Sequence, residues 1–101
     1  MGTVNTTLMQ EAESIFTDLG YAVSTAGGEM RAERKWRVVQ VTPMAEPDDP
    51  PASSGQLRCF VTWAERVGAL ERRLTRADPD YDWAIIGIRD DEEYVVSRRS
   101  S

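Results

Sequence analysis

Asp82-Trp83-Ala84-Ile85-Ile86-Gly87-Ile88 is the most hydrophobic run of the chain, and it lies between polar turns. A short, continuous apolar run bounded by turn residues has the pattern of a strand covered on both faces. It sets the layer plan: a central strand with something packed above and below it. On its C-terminal side, Arg89 to Glu92 predicts a turn. Glu93 to Arg98 then returns as a partner strand, with Tyr94 and Val96 on one face and Val95 on the other. On its N-terminal side, Asp78-Pro79 ends a helix predicted from about Ala64 to Ala77, with Val67, Leu70 and Leu74 as its buried stripe.

Further back, Leu57 to Trp63 alternates Leu57, Cys59, Val61 and Trp63 with Arg58, Phe60 and Thr62, the two-residue period of a strand. Pro43 to Gln56 carries four of the five prolines, three acids, two serines and a glycine, and predicts a Pro/acid-rich loop at 43–56. Glu29 to Thr42 is extended but too long for one strand, so a break or bulge is expected near Arg34-Lys35, with Trp36 to Val41 as the stronger half. Tyr21 to Thr25 predicts a short strand closed by the turn Ala26-Gly27-Gly28. That glycine pair lacks the GxxxxGK[ST] spacing of a phosphate loop. Leu8, Ala12, Ile15, Phe16 and Leu19 mark one face of a first helix, with Thr7 and Gln10 as a capping box and Gly20 as the C-terminal cap. The expected fold is α+β, with two helices packed on a mixed, mostly antiparallel β-sheet in the order α-β-β-(β)-loop-β-α-β-β. Its 101 residues fit one domain, 1–101.

Composition narrows the chemistry. The chain has eleven arginines against one lysine, no histidine, one cysteine and a formal charge of -5. Without histidine it lacks the default general base and the commonest metal ligand, so Ser-His-Asp, Cys-His and histidine-ligated sites are excluded within one chain. A lone Cys59 cannot form an internal disulfide, which points to a reducing compartment. Met1 to Gln10 has neither a basic stretch nor an apolar run, and no segment approaches the roughly 18 apolar residues of a membrane span. An unprocessed, cytoplasmic protein with no membrane partner is expected. Acid excess with almost no lysine suits a high-salt cytoplasm, where carboxylates keep the surface hydrated and salt screens their repulsion. A GC-rich genome, whose codons favour arginine over lysine, accounts for the same bias.

Few residues stand out as carriers of a site. Arg31, Arg34, Lys35 and Arg37, interleaved with Trp36, form the best candidate for nucleic-acid binding. The competing reading is a solvated edge strand whose charges block unwanted pairing. Arg72, Arg73 and Arg76 complement the negative end of the second helix. Asp90, Asp91, Glu92 and Glu93, like Glu46, Asp48 and Asp49, lack the alternate spacing and glycine of a calcium loop, so solvated acidic turns are expected. Cys59 lies on the apolar face of its strand and is expected to be structural. No catalytic residue, metal ligand or cofactor is expected.

The order of elements resembles the core of restriction-endonuclease-like nucleases. In that family an acid on one strand and an acid-x-lysine pair on the next bind Mg²⁺. The corresponding stretches here, Trp36 to Thr42 and Leu57 to Trp63, contain neither pattern, so the resemblance implies a scaffold without the metal site. The chain also resembles the small, acidic, uncharacterised proteins of haloarchaea. Its poverty in lysine, the loop Glu46-Pro47-Asp48-Asp49-Pro50-Pro51 and the stretch Asp80 to Gly87 carry that likeness. It implies a high-salt cytoplasm and no particular activity.

Three functions follow as expectations. The first is a small non-enzymatic protein-interaction domain that self-associates as a homodimer or binds another protein, because apolar residues occur on both faces of several strands and exposed apolar patches mark partner sites. The second is nucleic-acid binding through Arg31 to Arg37. The third is a histidine-free metal-assisted hydrolase, which needs two separated acids converging on one pocket.

Overall fold

A computed structural model describes residues 3–26, 29–46, 50, 57–89 and 93–98. In chain order the elements are α1 (Thr3–Asp18), β1 (Ala22–Ala26), β2 (Glu29–Arg34), β3 (Arg37–Pro43), β4 (Leu57–Trp63), a 3-10 turn (Ala64–Arg66), α2 (Val67–Ala77), β5 (Trp83–Ile88) and β6 (Tyr94–Arg98). The strands form one six-stranded sheet in sequence order, β1 to β6. The β3–β4 and β4–β5 pairs are parallel, and the other three are antiparallel. The fold is therefore α+β, two helices on a mixed, mostly antiparallel sheet.

The parallel β4–β5 pair fixes the layers. A parallel pair needs a crossover connection, and here α2 supplies it. On one face Leu70 and Leu74 of α2 close over Phe60, Ile85, Tyr81 and Trp83. On the other, Leu8, Ala12, Ile15 and Phe16 of α1 pack on Met30, Val39, Val41, Cys59, Val61 and Ile86. Strand β4 is consequently buried through Arg58–Thr62, and β5 is buried at every position except Ala84. Phe60, the apolar residue on the second face of its strand, is fully buried beneath α2 rather than left for a partner.

Local differences from the expected elements have plain causes. Helix α1 begins at Thr3, so Thr7 lies inside the helix and the Thr7–Gln10 box is not its cap. Gly20 takes φ 92° and ends the helical path, with its N–H on the Thr17 carbonyl. Leu19 lies past the helix end and is exposed rather than part of the buried face. The extended stretch 29–42 is a full hairpin, turning at Lys35-Trp36 between β2 and β3. The helix expected from Ala64 opens as a 3-10 turn and becomes α-helical at Val67. Its end is closed by Asp78 at φ 48°, whose N–H reaches the Leu74 carbonyl at 2.9 Å. Of the Pro/acid-rich loop, Pro43 belongs to β3 while Met44 and Ala45 pack partly into the two cores. Residues 47–49 and 51–56 of that loop, the Gly27-Gly28 turn and 90–92 of the second hairpin lie outside the described residues.

Gly87 marks where the crossover comes closest to the sheet. A β-carbon there would overlap Val67 Cγ2 and lie 2.9 Å from the backbone Cα of Ala64 and 3.0 Å from Val95 Cγ2. Backbone cannot give way as a flexible side chain can. Gly87→Ala is therefore expected to cost about 2 kcal/mol, in the range of overpacked cores, read as a lower urea midpoint at unchanged slope.

Candidate functional site

The lone lysine and the most exposed tryptophan share the β2–β3 turn. Two residues, Lys35 and Trp36, connect the strands, and Arg34 pairs directly with Arg37 at the closing position. Two-residue hairpins favour a positive φ at the first loop position, usually met by glycine or asparagine. Lys35 adopts φ 55° there instead, a left-handed conformation that costs a non-glycine residue about 1–2 kcal/mol. Trp36 is 96% exposed. Like charges directly opposite in a sheet are destabilising as well. Three locally unfavourable choices thus meet at one tip.

Of the five residues expected to act together, the fold gathers four. Arg34, Lys35, Trp36 and Arg37 border a shallow surface depression of about 730 Å³, together with Tyr21 and Val38. Arg31 is not among them. It pairs with Gln40 on the sheet face opposite to Met30 and Val39, and it forms an ion pair with Glu33 at 3.0 Å. Tyr21 was not marked by the sequence, where it reads as the start of a strand. Its ring packs edge-on against Phe16 at a centroid distance of 5.2 Å, which fixes one side and leaves another at the depression.

A second concavity, about 500 Å³, lies on the α1 face of the sheet between the end of α1 and β6. Phe16, Val39, Cys59 and Ile86 line its apolar interior, and Tyr94 and Val96 lie toward β6. Burial pushes the Cys59 thiol from its ordinary 9.0 up to about 12. Burial and protonation together make it a poor nucleophile at neutral pH.

On the α2 face, Arg58 is 9% exposed and its Nη1 donates to Thr42 Oγ1 at 2.6 Å. Burial raises the pKa of the neighbouring Tyr81 hydroxyl, with the Arg58 charge acting to lower it and Asp80 to raise it. The Arg58–Thr42 hydrogen bond ties β4 to β3 beside the Phe60 core. Glu46, one of the loop acids, pairs with Arg66 at 3.3 Å. Arg72, Arg73 and Arg76 are exposed along α2. Among the described residues no three acidic or thiol side chains lie together as a metal site would require. Asp48, Asp49, Asp90, Asp91 and Glu92 lie outside those residues.

The family of unknown function DUF7116 matches residues 9–97, and the chain belongs to that family. No curated protein and no solved structure matches it.

The Cys59 environment has a consequence in base. The unfolded chain releases the thiol proton above about pH 9, whereas the folded chain holds it until about pH 12. The stability contributed by the buried thiol is complete below pH 9 and is lost as pH rises through that window. The stability advantage of the wild type over Cys59→Ala should therefore shrink steadily from about pH 9 upward, followed by denaturant midpoints under reducing conditions. A constant gap would contradict a buried, protonated thiol.

Proposed function

We propose that this chain is a small non-enzymatic interaction domain that pairs with a second copy of itself along the open edge of β6, in a high-salt cytoplasm. The observation that carries this reading is the chemistry of that edge. Arg89 N–H donates to the Glu93 carbonyl at 2.8 Å, and Ile88 pairs with Tyr94. An antiparallel ladder alternates bonded and non-bonded pairs, so Tyr94, Val96 and Arg98 direct their N–H and C=O groups away from β5, toward the open edge. The side chains of the same three residues stand on the α1 face, where Tyr94 is 40% and Val96 52% exposed. Among the described residues no strand pairs with that edge, and an unpaired edge carrying exposed apolar side chains is a template for another strand.

A two-fold axis through Val96 supports a second copy as the partner. Antiparallel pairing about that axis sets Val96 against the partner's Val96 and Tyr94 against the partner's Arg98. The outward backbone groups of all three residues then find partners, and each tyrosine ring meets a guanidinium. Backbone hydrogen bonds and apolar contact are little affected by screening, so this association suits molar salt. Five residues per strand make a small interface, of the class that associates at micromolar concentration or weaker.

Light scattering across a concentration series in molar KCl should show a monomer–dimer equilibrium. Val96→Lys, which puts like charges on the axis, should leave a stable monomer, while Ser24→Lys on the β1 edge should leave the dimer intact. A wild type that stays monomeric throughout contradicts the reading. A dimer broken by Ser24→Lys and untouched by Val96→Lys contradicts the assignment to β6.

A further inference from the structure

We infer that the β2–β3 hairpin tip is a binding site for single-stranded nucleic acid, with Trp36 as the stacking platform. The inference rests on an arrangement that the fold alone does not require. Strands β2 and β3 lie inside the sheet, between β1 and β4, so the expected solvated edge strand is not what the basic segment forms. A solvated turn between interior strands needs only polar residues, and Arg34 and Arg37 would supply them. It does not need a tryptophan at 96% exposure, nor a lysine held at φ 55° where glycine would be unstrained. Such concentrations of locally unfavourable choices are characteristic of functional sites.

The chemistry of the depression defines the ligand. Trp36 offers a flat, unobstructed face, and every base has a π-face to match it. Arg34, Lys35 and Arg37 place three cations on the depression that Trp36 borders. Tyr21, braced by Phe16, lies at the depression as a second aromatic surface for a neighbouring base. A single strand presents unstacked bases and adjacent phosphates together. A duplex hides its base faces and would meet only the cations. The net charge of -5 repels long nucleic acid from the rest of the surface, which favours a local contact of a few nucleotides over general coating. Arg31, paired with Glu33 on the other face, takes no part.

Salt divides the two contributions. Three phosphate contacts to a single strand predict a slope of about −2 for log K against log salt, at roughly 0.7 per contact. Stacking carries little such dependence, so dilute buffer shows the full site and molar salt the base contribution alone.

The test is intrinsic tryptophan fluorescence titrated with oligouridylate and oligothymidylate in low salt. Trp83 is buried and Trp63 half-buried, so quenching reports Trp36. Quenching with a slope near −2 is expected. Trp36→Ala should weaken binding by at least about 5-fold, the lower end of one lost base stack, as measured by anisotropy of a labelled oligonucleotide. Lys35→Gly is the discriminating variant, because it relieves the strained φ. It should raise the melting temperature while weakening binding and reducing the slope to about −1.4. No quenching by either oligonucleotide in low salt overturns the inference. So does quenching by polyglutamate with equal affinity, which would make the tip a site for acidic protein. A Trp36→Ala variant that binds as tightly as wild type overturns it too.

Discussion

Everything in this molecule follows from the need to cover both faces of the β4–β5 pair. Phe60 and Ile85 turn one way, Val61 and Ile86 the other, and all four are buried. Parallel neighbours cannot be joined by a tight turn, so the chain leaves β4, forms α2 across one face and re-enters as β5. That leaves α1 to cover the opposite face, where it rests on β1, β3, β4 and β5. With Gly87 letting the crossover approach the sheet backbone, the centre closes with no further element.

The same constraint determines what remains open. Both helices are occupied at the centre, so among the described residues β1 and β6 each lack a strand on their outer side, and the β2–β3 turn keeps Lys35 and Trp36 exposed. Among the described residues, the large apolar side chains left exposed are Leu19, Trp36, Tyr94 and Val96, all at these margins or at the end of α1. Surface chemistry therefore gathers at two places of different character. The β6 edge offers backbone groups and apolar contact, and the hairpin tip offers charge and an aromatic face. The two lie at different strands, which allows both proposed interactions to operate together.

The central strands were legible because burial on both faces writes itself into continuous apolar sequence, as at Trp83–Ile88, or into alternation with apolar residues on both phases, as at Leu57–Trp63. The second helix was legible from Leu70 and Leu74 and from Asp78-Pro79 behind it. The hairpin turn read only as a break or bulge near Arg34-Lys35, because Lys35-Trp36 has none of the turn chemistry that normally marks such a loop. The Thr7–Gln10 pair has the composition of a capping box, yet the helix propagates through it to Thr3. Of the candidate site, linear proximity suggested all five residues of the basic segment. Strand alternation then sent Arg31 and its partner Glu33 to the other face. Tyr21 was invisible because its place at the tip depends on how β1 lies beside the hairpin, a tertiary fact. The burial of Arg58 was equally hidden, since it depends on Thr42 in another strand.

Residue-resolved hydrogen exchange in molar KCl, run at low and high protein concentration, tests the account most directly. The amides of β4 and β5 should be the slowest at both concentrations, exchanging only through global unfolding. The amides of Tyr94, Val96 and Arg98 should exchange fast in dilute solution and gain protection as concentration rises, while those of Val95 and Ser97, bonded to β5, change little. Outward β6 amides that stay fast at every concentration, or greatest protection in β1 and β2 rather than β4 and β5, would contradict it.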